Sequence, residues 1–251
     1  MRCATRGGQG EAMPAGKARP RCWAVIPAAG AGTRMGAGLP KQYLQLLGRA
    51  VIAHALDRLA GHPRIAGSVV VHARADRYWD ALAPAPLPRP RRVDGGAERH
   101  HSVLNGLEAL VNDAAADDWV LVHDAARPCV RREDIDRLLA DLEDHPVGGL
   151  LGLPVRDTMK RADAGGAVRE TVSREGLWHA LTPQMFRYGL LRRALRTVLD
   201  SGRLVTDEAQ AIELAGHSPR MVEGSPDNIK VTHPRDLALA ELFLREQAGG
   251  G

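Results

Sequence analysis

The chain is poor in aromatic residues, which make up 4% of its 251 positions. That leaves little with which to stack the bases of a nucleic acid. Cysteine is just as sparse. Cys3, Cys22 and Cys129 are the three present; they form no C-x-x-C pair and are odd in number, which fits reduced thiols in a cytoplasm better than a disulfide framework. The ten histidines include no H-E-x-x-H and no Cys/His spacing suited to zinc. No apolar run approaches the roughly 18–20 residues that cross a bilayer, so no membrane span is expected. The N-terminal stretch lacks the apolar centre of a secretory signal.

A charge of one sign is also missing from the body of the chain. The formal net charge is +4, but Arg2, Arg6, Lys17, Arg19 and Arg21 against Glu11 account for all of it. The body from Cys22 onward is neutral overall. The basic residues of the tail and of Pro88-Arg89-Pro90-Arg91-Arg92 therefore read as solvated segments, not as a nucleic-acid surface. Residues 1–21, rich in Gly, Ala and Arg, read as a disordered extension, and Met13 offers an alternative start. Apolar content of 44% and charged content of 25% are ordinary for a globular protein, and the length suits one sizeable domain.

What is present is a short apolar strand, Trp23–Ile26, running into Pro27-Ala28-Ala29-Gly30-Ala31-Gly32-Thr33-Arg34-Met35 and then Pro40-Lys41-Gln42-Tyr43. Small residues let the backbone approach a ligand closely, and free N–H groups there suit phosphate oxygens. Arg34 and Lys41 add the positive charge that a polyphosphate requires. Two common nucleotide grips are absent. A P-loop needs G-x-x-x-x-G-K-[ST], which Gly32 and Gly36 do not supply. A dinucleotide fingerprint needs a third glycine, where Met35 stands.

Beyond this loop the pattern alternates strand and helix. Helical spacing covers Ala50–Leu59, Val103–Val111 and Ile135–Leu142; apolar runs mark strands at Val69–Val71, Trp119–Val122 and Leu150–Val155. Such alternation predicts an α/β fold, a mostly parallel sheet with helices on both faces. Pro84, Pro86, Pro88 and Pro90 mark a loop inside the domain. Residues 156–178 are polar and read as a β-hairpin projecting from the sheet, its turn at Asp163–Gly166. Helices at Arg187–Leu199 and Asp207–Ala215, a strand at Arg220–Val222 and a helix from Pro234 complete the body, placed at 22–247, with 248–251 as a flexible tail.

Ligands of parallel sheets lie beyond the carboxyl ends of the strands. Asp124, directly after an apolar strand in His123-Asp124-Ala125-Ala126-Arg127-Pro128, is placed for a ribose hydroxyl, a metal or a substrate hydroxyl, or else caps a helix. Arg127 favours an anion. Gly95 and Gly96 permit close contact with a flat base, or simply a turn. Ser102 opens the next helix as a cap or a ligand contact. Asp207-Glu208 reads as an acidic helix start, and Lys230 by itself as a solvated lysine.

Together these segments resemble the family of cytidylyltransferases acting on 2-C-methyl-D-erythritol 4-phosphate. The resemblance rests on the Pro27–Lys41 run, Gly95-Gly96-Ala97-Glu98-Arg99 with Ser102-Val103, Val122–Pro128, and Arg156-Asp157-Thr158-Met159-Lys160. It continues through Leu177–Gln184, Thr206-Asp207-Glu208-Ala209 and Asp227–Thr232, and spans roughly Cys22 to Leu244. It implies a Rossmann-like nucleotidyltransferase fold and a homodimer whose arms, here about Arg156–Gly176, complete each other's sites. It implies transfer of CMP from CTP to the methylerythritol phosphate with release of pyrophosphate. Arg34 and Lys41 would then stabilise the transition state, and Arg174 and Lys230 would hold the attacking phosphate. Pro27, Ala28, Ala29, Gly30, Gly32, Gly95, Gly96 and Ser102 would hold the nucleotide, and Asp124 the sugars. Arg127, Thr158, Thr182 and Thr206 would surround the second substrate. Mg²⁺ would bridge triphosphate oxygens without an assigned protein ligand.

The chain departs from the family at Thr33, where some relatives carry arginine, at Ala97, where some are acidic, and at His100-His101. A ribitol 5-phosphate cytidylyltransferase is the alternative enzyme, and a catalytically idle sugar-nucleotide-binding protein the alternative of another class. Retention of Arg34, Lys41, Arg174 and Lys230 argues against the latter.

Overall fold

β-branched and other apolar residues with no polar interruption make the first strand, β1 (Cys22–Pro27), a buried one: five of its six residues are inaccessible. In the computed structural model, which describes residues 19–30, 39–82 and 89–249, β1 is an interior strand of a seven-stranded sheet. A small hairpin, β2 (Gln45–Leu46) and β3 (Arg49–Ala50), leads into α1 (Val51–Ala60), and the chain returns through β4 (Ile65–His72). β5 (Arg91–Asp94), α2 (Arg99–Glu108), β6 (Trp119–Val122), α3 (Arg132–Leu142) and β7 (Gly148–Pro154) follow. An arm of β8 (Met159–Ala162) and β9 (Val168–Val172) comes next, then β10 (Trp178–Arg187), α4 (Tyr188–Asp200), α5 (Glu208–Leu214), β11 (Arg220–Glu223) and α6 (Pro234–Gly249).

The order across the main sheet is β11-β7-β10-β6-β1-β4-β5. β1 pairs in parallel with β4 on one side and β6 on the other. The strand order thus reverses at β1, and such a switch point opens a crevice at the carboxyl ends of the strands. β10 alone runs antiparallel, against both β6 and β7.

Side chains alternate across the strands and meet a helical layer on each face, as expected. Ala24 and Ile26 of β1 face Ile52, Leu56 and Leu59 of α1 and Ile135, Leu138 and Leu142 of α3. Trp23 and Val25 face Val103 and Leu107 of α2, Leu191 and Leu195 of α4, and Ile212 of α5. Ala240 and Leu244 of α6 pack with Leu46, Val51, Cys129 and Val231 as a smaller cluster.

Several local expectations change. β10 was not anticipated as a strand. α2 starts at Arg99 with Glu98 as its N-cap, so Ser102 lies inside the helix instead of opening it. α6 continues to Gly249, into the stretch expected to be a tail. Arg21, assigned to the extension, docks on the sheet: its N–H donates to Asp118 at 2.9 Å and its carbonyl accepts from Trp119 N at 2.8 Å. Residues 1–18, Gly32, Thr33, Arg34, Pro84, Pro86 and Pro88 lie outside the described residues.

The projecting arm is present. β8 and β9 pair antiparallel from Met159↔Val172, Gly166 takes a positive φ of 84° at the anticipated turn, and Asp163 accepts from Gly165 N and Ala167 N at 3.0 Å. No residue from 156 to 180 is fully buried.

Candidate active site

At the end of β1 the chain turns through Pro27–Gly30, where its carbonyls need partners once the ladder ends. Buried Gln42 supplies them, donating its amide to Ala28 O at 2.7 Å and Gly30 O at 3.3 Å. Ala28 N donates to Val71 O at 2.7 Å, and Gly95 N to His72 O at the same distance. The loops after β1 and β5 are thereby drawn together. A Cβ on Gly95 would stand 2.4 Å from the Ala29 Cβ, so only glycine fits there. Gly96 N donates to the Ser102 hydroxyl at 3.1 Å, which donates in turn to Glu98 O at 3.2 Å. Ser102 therefore braces the glycine loop from within α2.

These loops and the one after β6 enclose a cleft of about 280 Å³ lined by Pro27–Gly30, Lys41, Gln42, Gly96–Arg99, Ser102, Asp124–Ala126 and Lys230. Its charged centre is Asp124. Arg99 donates to Asp124 Oδ1 from Nε at 3.2 Å and from Nη2 at 3.1 Å. Lys230 Nζ sits 2.7 Å from Oδ2, and Arg127 Nε lies 3.7 Å away. Burial disfavours the charged carboxylate, but Arg99 and Lys230, aided by Arg127, outweigh it and hold Asp124 well below the usual carboxylate range.

A buried lattice holds this loop from below. Asp124 N donates to Thr182 Oγ1 at 3.2 Å. Thr182 Oγ1 is 3.0 Å from His123 Nδ1, and His123 Nε2 is 3.0 Å from Arg127 O. Since a carbonyl only accepts, Nε2 carries the proton and Nδ1 accepts from threonine. Burial pushes His123 down to about 4, which keeps this tautomer neutral. Asn228 donates to Thr182 O at 2.7 Å and accepts from Arg127 Nη1 through its carbonyl at 2.7 Å. Lys230 is thus tied to the Asp124 loop through its own neighbours.

The expected residues divide by place. Pro27, Ala28, Ala29, Gly30, Gly96, Ser102, Asp124, Lys41 and Lys230 line one cleft, and Gly95 and Arg127 support its wall. Lys230, unremarkable in sequence, is an ion-pair partner at the centre. Thr182 is buried beneath Asp124, with 5% of its surface exposed. Thr206 lies outside the cleft lining, exposed, with its N–H and hydroxyl on Gln210 Oε1. Thr158 and Arg174 are on the exposed arm and do not line the cleft of their own protomer; Arg174 donates to Arg156 O. Arg34 and Gly32 belong to the undescribed part of the loop.

Sequence reasoning missed Gln42, Arg99 and Glu208 as working residues. Glu208 is fully buried and accepts from Arg99 Nη1 at 2.6 Å and Nη2 at 3.1 Å. Its signal lay in the adjoining Asp207, whose Oδ1 accepts from Gln210 N at 3.0 Å as the N-cap of α5. With the cap role filled, the second acid was free for another.

The family model for 2-C-methyl-D-erythritol 4-phosphate cytidylyltransferase (IspD) matches residues 22–246. The chain belongs to this family. The enzyme of that name from Pseudomonas putida (strain W619) is 58% identical over 235 residues, 93% of this chain and 98% of the relative. A crystal structure of a 4-diphosphocytidyl-2C-methyl-D-erythritol synthase superposes with a TM-score of 0.77 at 37% identity, covering 90% of this chain and 99% of the other. The family's cytidylyltransferase from Francisella tularensis gives 0.77 at 32% identity, covering 89% and 99%. The IspD fold accounts for the seven-stranded sheet, the lone antiparallel strand and the arm. Ala97 lines the Asp124 cleft without a side chain able to bind a hydroxyl.

Proposed function

We propose that this chain transfers CMP from CTP to 2-C-methyl-D-erythritol 4-phosphate, releasing pyrophosphate and forming 4-diphosphocytidyl-2-C-methyl-D-erythritol for isoprenoid precursor synthesis. The observation that carries the reading is the gathering of Lys41, Arg99 and Lys230 with Asp124 in one cleft at the switch point of the sheet. A phosphate oxygen of the second substrate attacks the α-phosphorus of CTP. The new O–P bond forms as the bond to the β-phosphate oxygen breaks, and pyrophosphate carries away that electron pair. This chemistry requires alignment and neutralisation of charge, not a protein nucleophile.

The backbone of Pro27–Gly30, with Gly32, Gly95, Gly96 and Ser102, receives the nucleotide. Lys41, which lines the cleft, neutralises the triphosphate, a role that the family resemblance extends to Arg34. Lys230 and Arg127 receive the attacking phosphate, and Asp124 orients the sugars. Thr182 serves from beneath, by fixing the Asp124 loop. Thr206, outside the cleft lining, would contact the second substrate as the resemblance implies.

The cleft offers magnesium no cage of its own. Both Asp124 oxygens face cations, and Glu98 caps α2. Among the described residues no cluster of His, Cys, Asp and Glu could hold a metal. A donor set of this kind suits Mg²⁺ that enters on the triphosphate and keeps its waters; it would there offset phosphate charge.

The arm supports a homodimer. Exposed Val168, Leu177 and Trp178 are apolar surface suited to a second copy, and an arm crossing to the partner would deliver Thr158 and Arg174 to its cleft. No described helix is long and apolar enough to cross a membrane. The free thiols of Cys22 and Cys129 suit the cytoplasm. Incubation with Mg²⁺, CTP and either methylerythritol 4-phosphate or ribitol 5-phosphate, with pyrophosphate release as readout, tests the reading. Turnover with ribitol 5-phosphate alone replaces the substrate; none with either makes the protein a binder.

A further inference from the structure

We infer that Arg99, locked by the buried Glu208, is the positioning residue that keeps the Asp124 carboxylate in place when a substrate phosphate draws Lys230 away from it. The inference rests on the reading of the cleft as the site for CTP and a polyol phosphate. It comes from the unequal way in which three cations hold one carboxylate.

Lys230 is the least constrained. Its side chain is 41% exposed, and among the described residues its one ion pair is with Asp124 Oδ2. A phosphate arriving at the cleft competes for that ammonium directly. Arg127 cannot replace it as a hydrogen-bonding partner in this geometry: its Nε is 3.7 Å from Oδ2, is buried and has no hydrogen-bond partner among the described residues, while its Nη1 is committed to Asn228 O. Arg99 differs from both. It reaches Oδ1 with two N–H groups while Nη1 and Nη2 bind both oxygens of Glu208. A planar guanidinium clamped on one carboxylate has its remaining N–H vectors fixed for the other.

Burial makes the Glu208 carboxylate depend on this clamp. It is fully buried, and a lone buried carboxylate is costly. Arg99 from α2 is its only ion-pair partner among the described residues. The pair therefore acts as a neutral fork that grips Asp124 without adding net charge to the cleft. Lys230, Arg127 and Lys41 remain as the cations that face anionic substrate. The groups facing Asp124 are Arg99 from α2, Glu208 at the start of α5 with Asp207 beside it, Lys230 from the loop before α6, and Arg127 and neutral His123 from its own loop.

Two variants of the full-length protein test this: Glu208→Gln, and the double variant Arg99→Met/Glu208→Met, which replaces the buried pair by apolar groups and avoids an unpaired charge. In the folded variants we expect KM for the polyol phosphate to rise at least about 10-fold with KM for CTP changed less than about 3-fold. In the double variant, which removes Arg99, the acidic limb of kcat/KM should move up, because Asp124 loses a cation that favours its charged form; Glu208→Gln keeps Arg99 and should leave that limb where it is. A role confined to stability would lower the melting temperature and leave the KM ratio and the acidic limb unmoved; that outcome overturns the inference, as does failure of both variants to fold. An inactive wild-type protein overturns the functional reading instead, so the two failures are distinct.

Discussion

The Lys230 ammonium lies 2.7 Å from the Asp124 carboxylate, joining the segment before α6 to the loop after β6 at the mouth of the sheet's crevice. In the free protein the lysine is stored on an internal anion. A substrate phosphate must exchange with that anion, so the strength of the stored pair sets part of the cost of binding. Shortening the lysine should expose this exchange. Lys230→Ala is expected to lower kcat/KM about 10²-fold or more, with most of the loss on the polyol phosphate. Initial rates with each substrate varied in turn check the split.

Lys41 lines the same cleft from the short turn at Lys41–Tyr43, opposite the Asp124 group. A cation fixed where charge builds on the leaving pyrophosphate acts mainly in the transition state. Lys41→Ala should cost roughly 3–4 kcal/mol of transition-state stabilisation, about 10²–10³ in kcat, with an unchanged circular dichroism spectrum. Near-normal turnover removes Lys41 from the mechanism.

Gly95 holds the two nucleotide-facing loops in contact. A methyl group there would meet the Ala29 Cβ at 2.4 Å, Ser102 Oγ at 3.0 Å and His72 O at 3.2 Å. Two of these neighbours are too rigid to yield cheaply. Gly95→Ala should separate the loops, destabilise the protein by about 1–3 kcal/mol, and raise KM for CTP more than KM for the second substrate. Urea unfolding and steady-state kinetics measure the two effects separately.

A pH dependence belongs to Asp118, away from the cleft. Its carboxylate accepts from Arg21 N at 2.9 Å, Trp23 Nε1 at 3.0 Å and Ala115 N at 3.0 Å. Burial opposes its charge, but the Trp23 indole and the two backbone donors outweigh that and lower it from the ordinary 3.8. A group depressed in the folded state stabilises fully above its unfolded value and loses that contribution as pH falls through the folded one. Acid should therefore weaken the wild-type protein below about pH 4 by a margin that Asp118→Asn reduces. At pH 7 Asp118→Ala should cost about 2–4 kcal/mol, read from urea midpoints.

The parts of fold and site legible in sequence were those whose signal is local. β1 and β6 are short runs of apolar residues, and the loops that leave them carry Gly30 and Asp124 within a few positions. The arm was legible because polar alternation around Gly165-Gly166 has few other solutions. β10 was not, since Trp178–Arg187 has no strict alternation and contains Pro183; it is a strand because β6 and β7 pair with it from both sides. In sequence Glu208 looks like a dipole complement, because a first-turn acid usually is one. Its burial depends on Arg99 arriving from α2. The role of Thr182 beneath Asp124 has no local signal either, since it depends on His123 and Asn228 meeting it in space.

Arg174 gives the last prediction. It is itself exposed, on an arm with no fully buried residue, and lies outside the cleft that holds Lys41 and Lys230 in the same protomer. If the arm serves the partner's cleft in a two-fold dimer, Arg174→Ala and Lys41→Ala damage the same site from different chains. Each variant alone is then inactive. After the two are mixed, unfolded and refolded together, a mixed dimer has one cleft that carries both lesions and one that carries neither. With random pairing half the dimers are mixed and each has one intact cleft, so activity should return to about a quarter of wild type. A structural arm would show no such rescue: the mixture would remain as inactive as its components, and Arg174 would have to act, if at all, within its own chain.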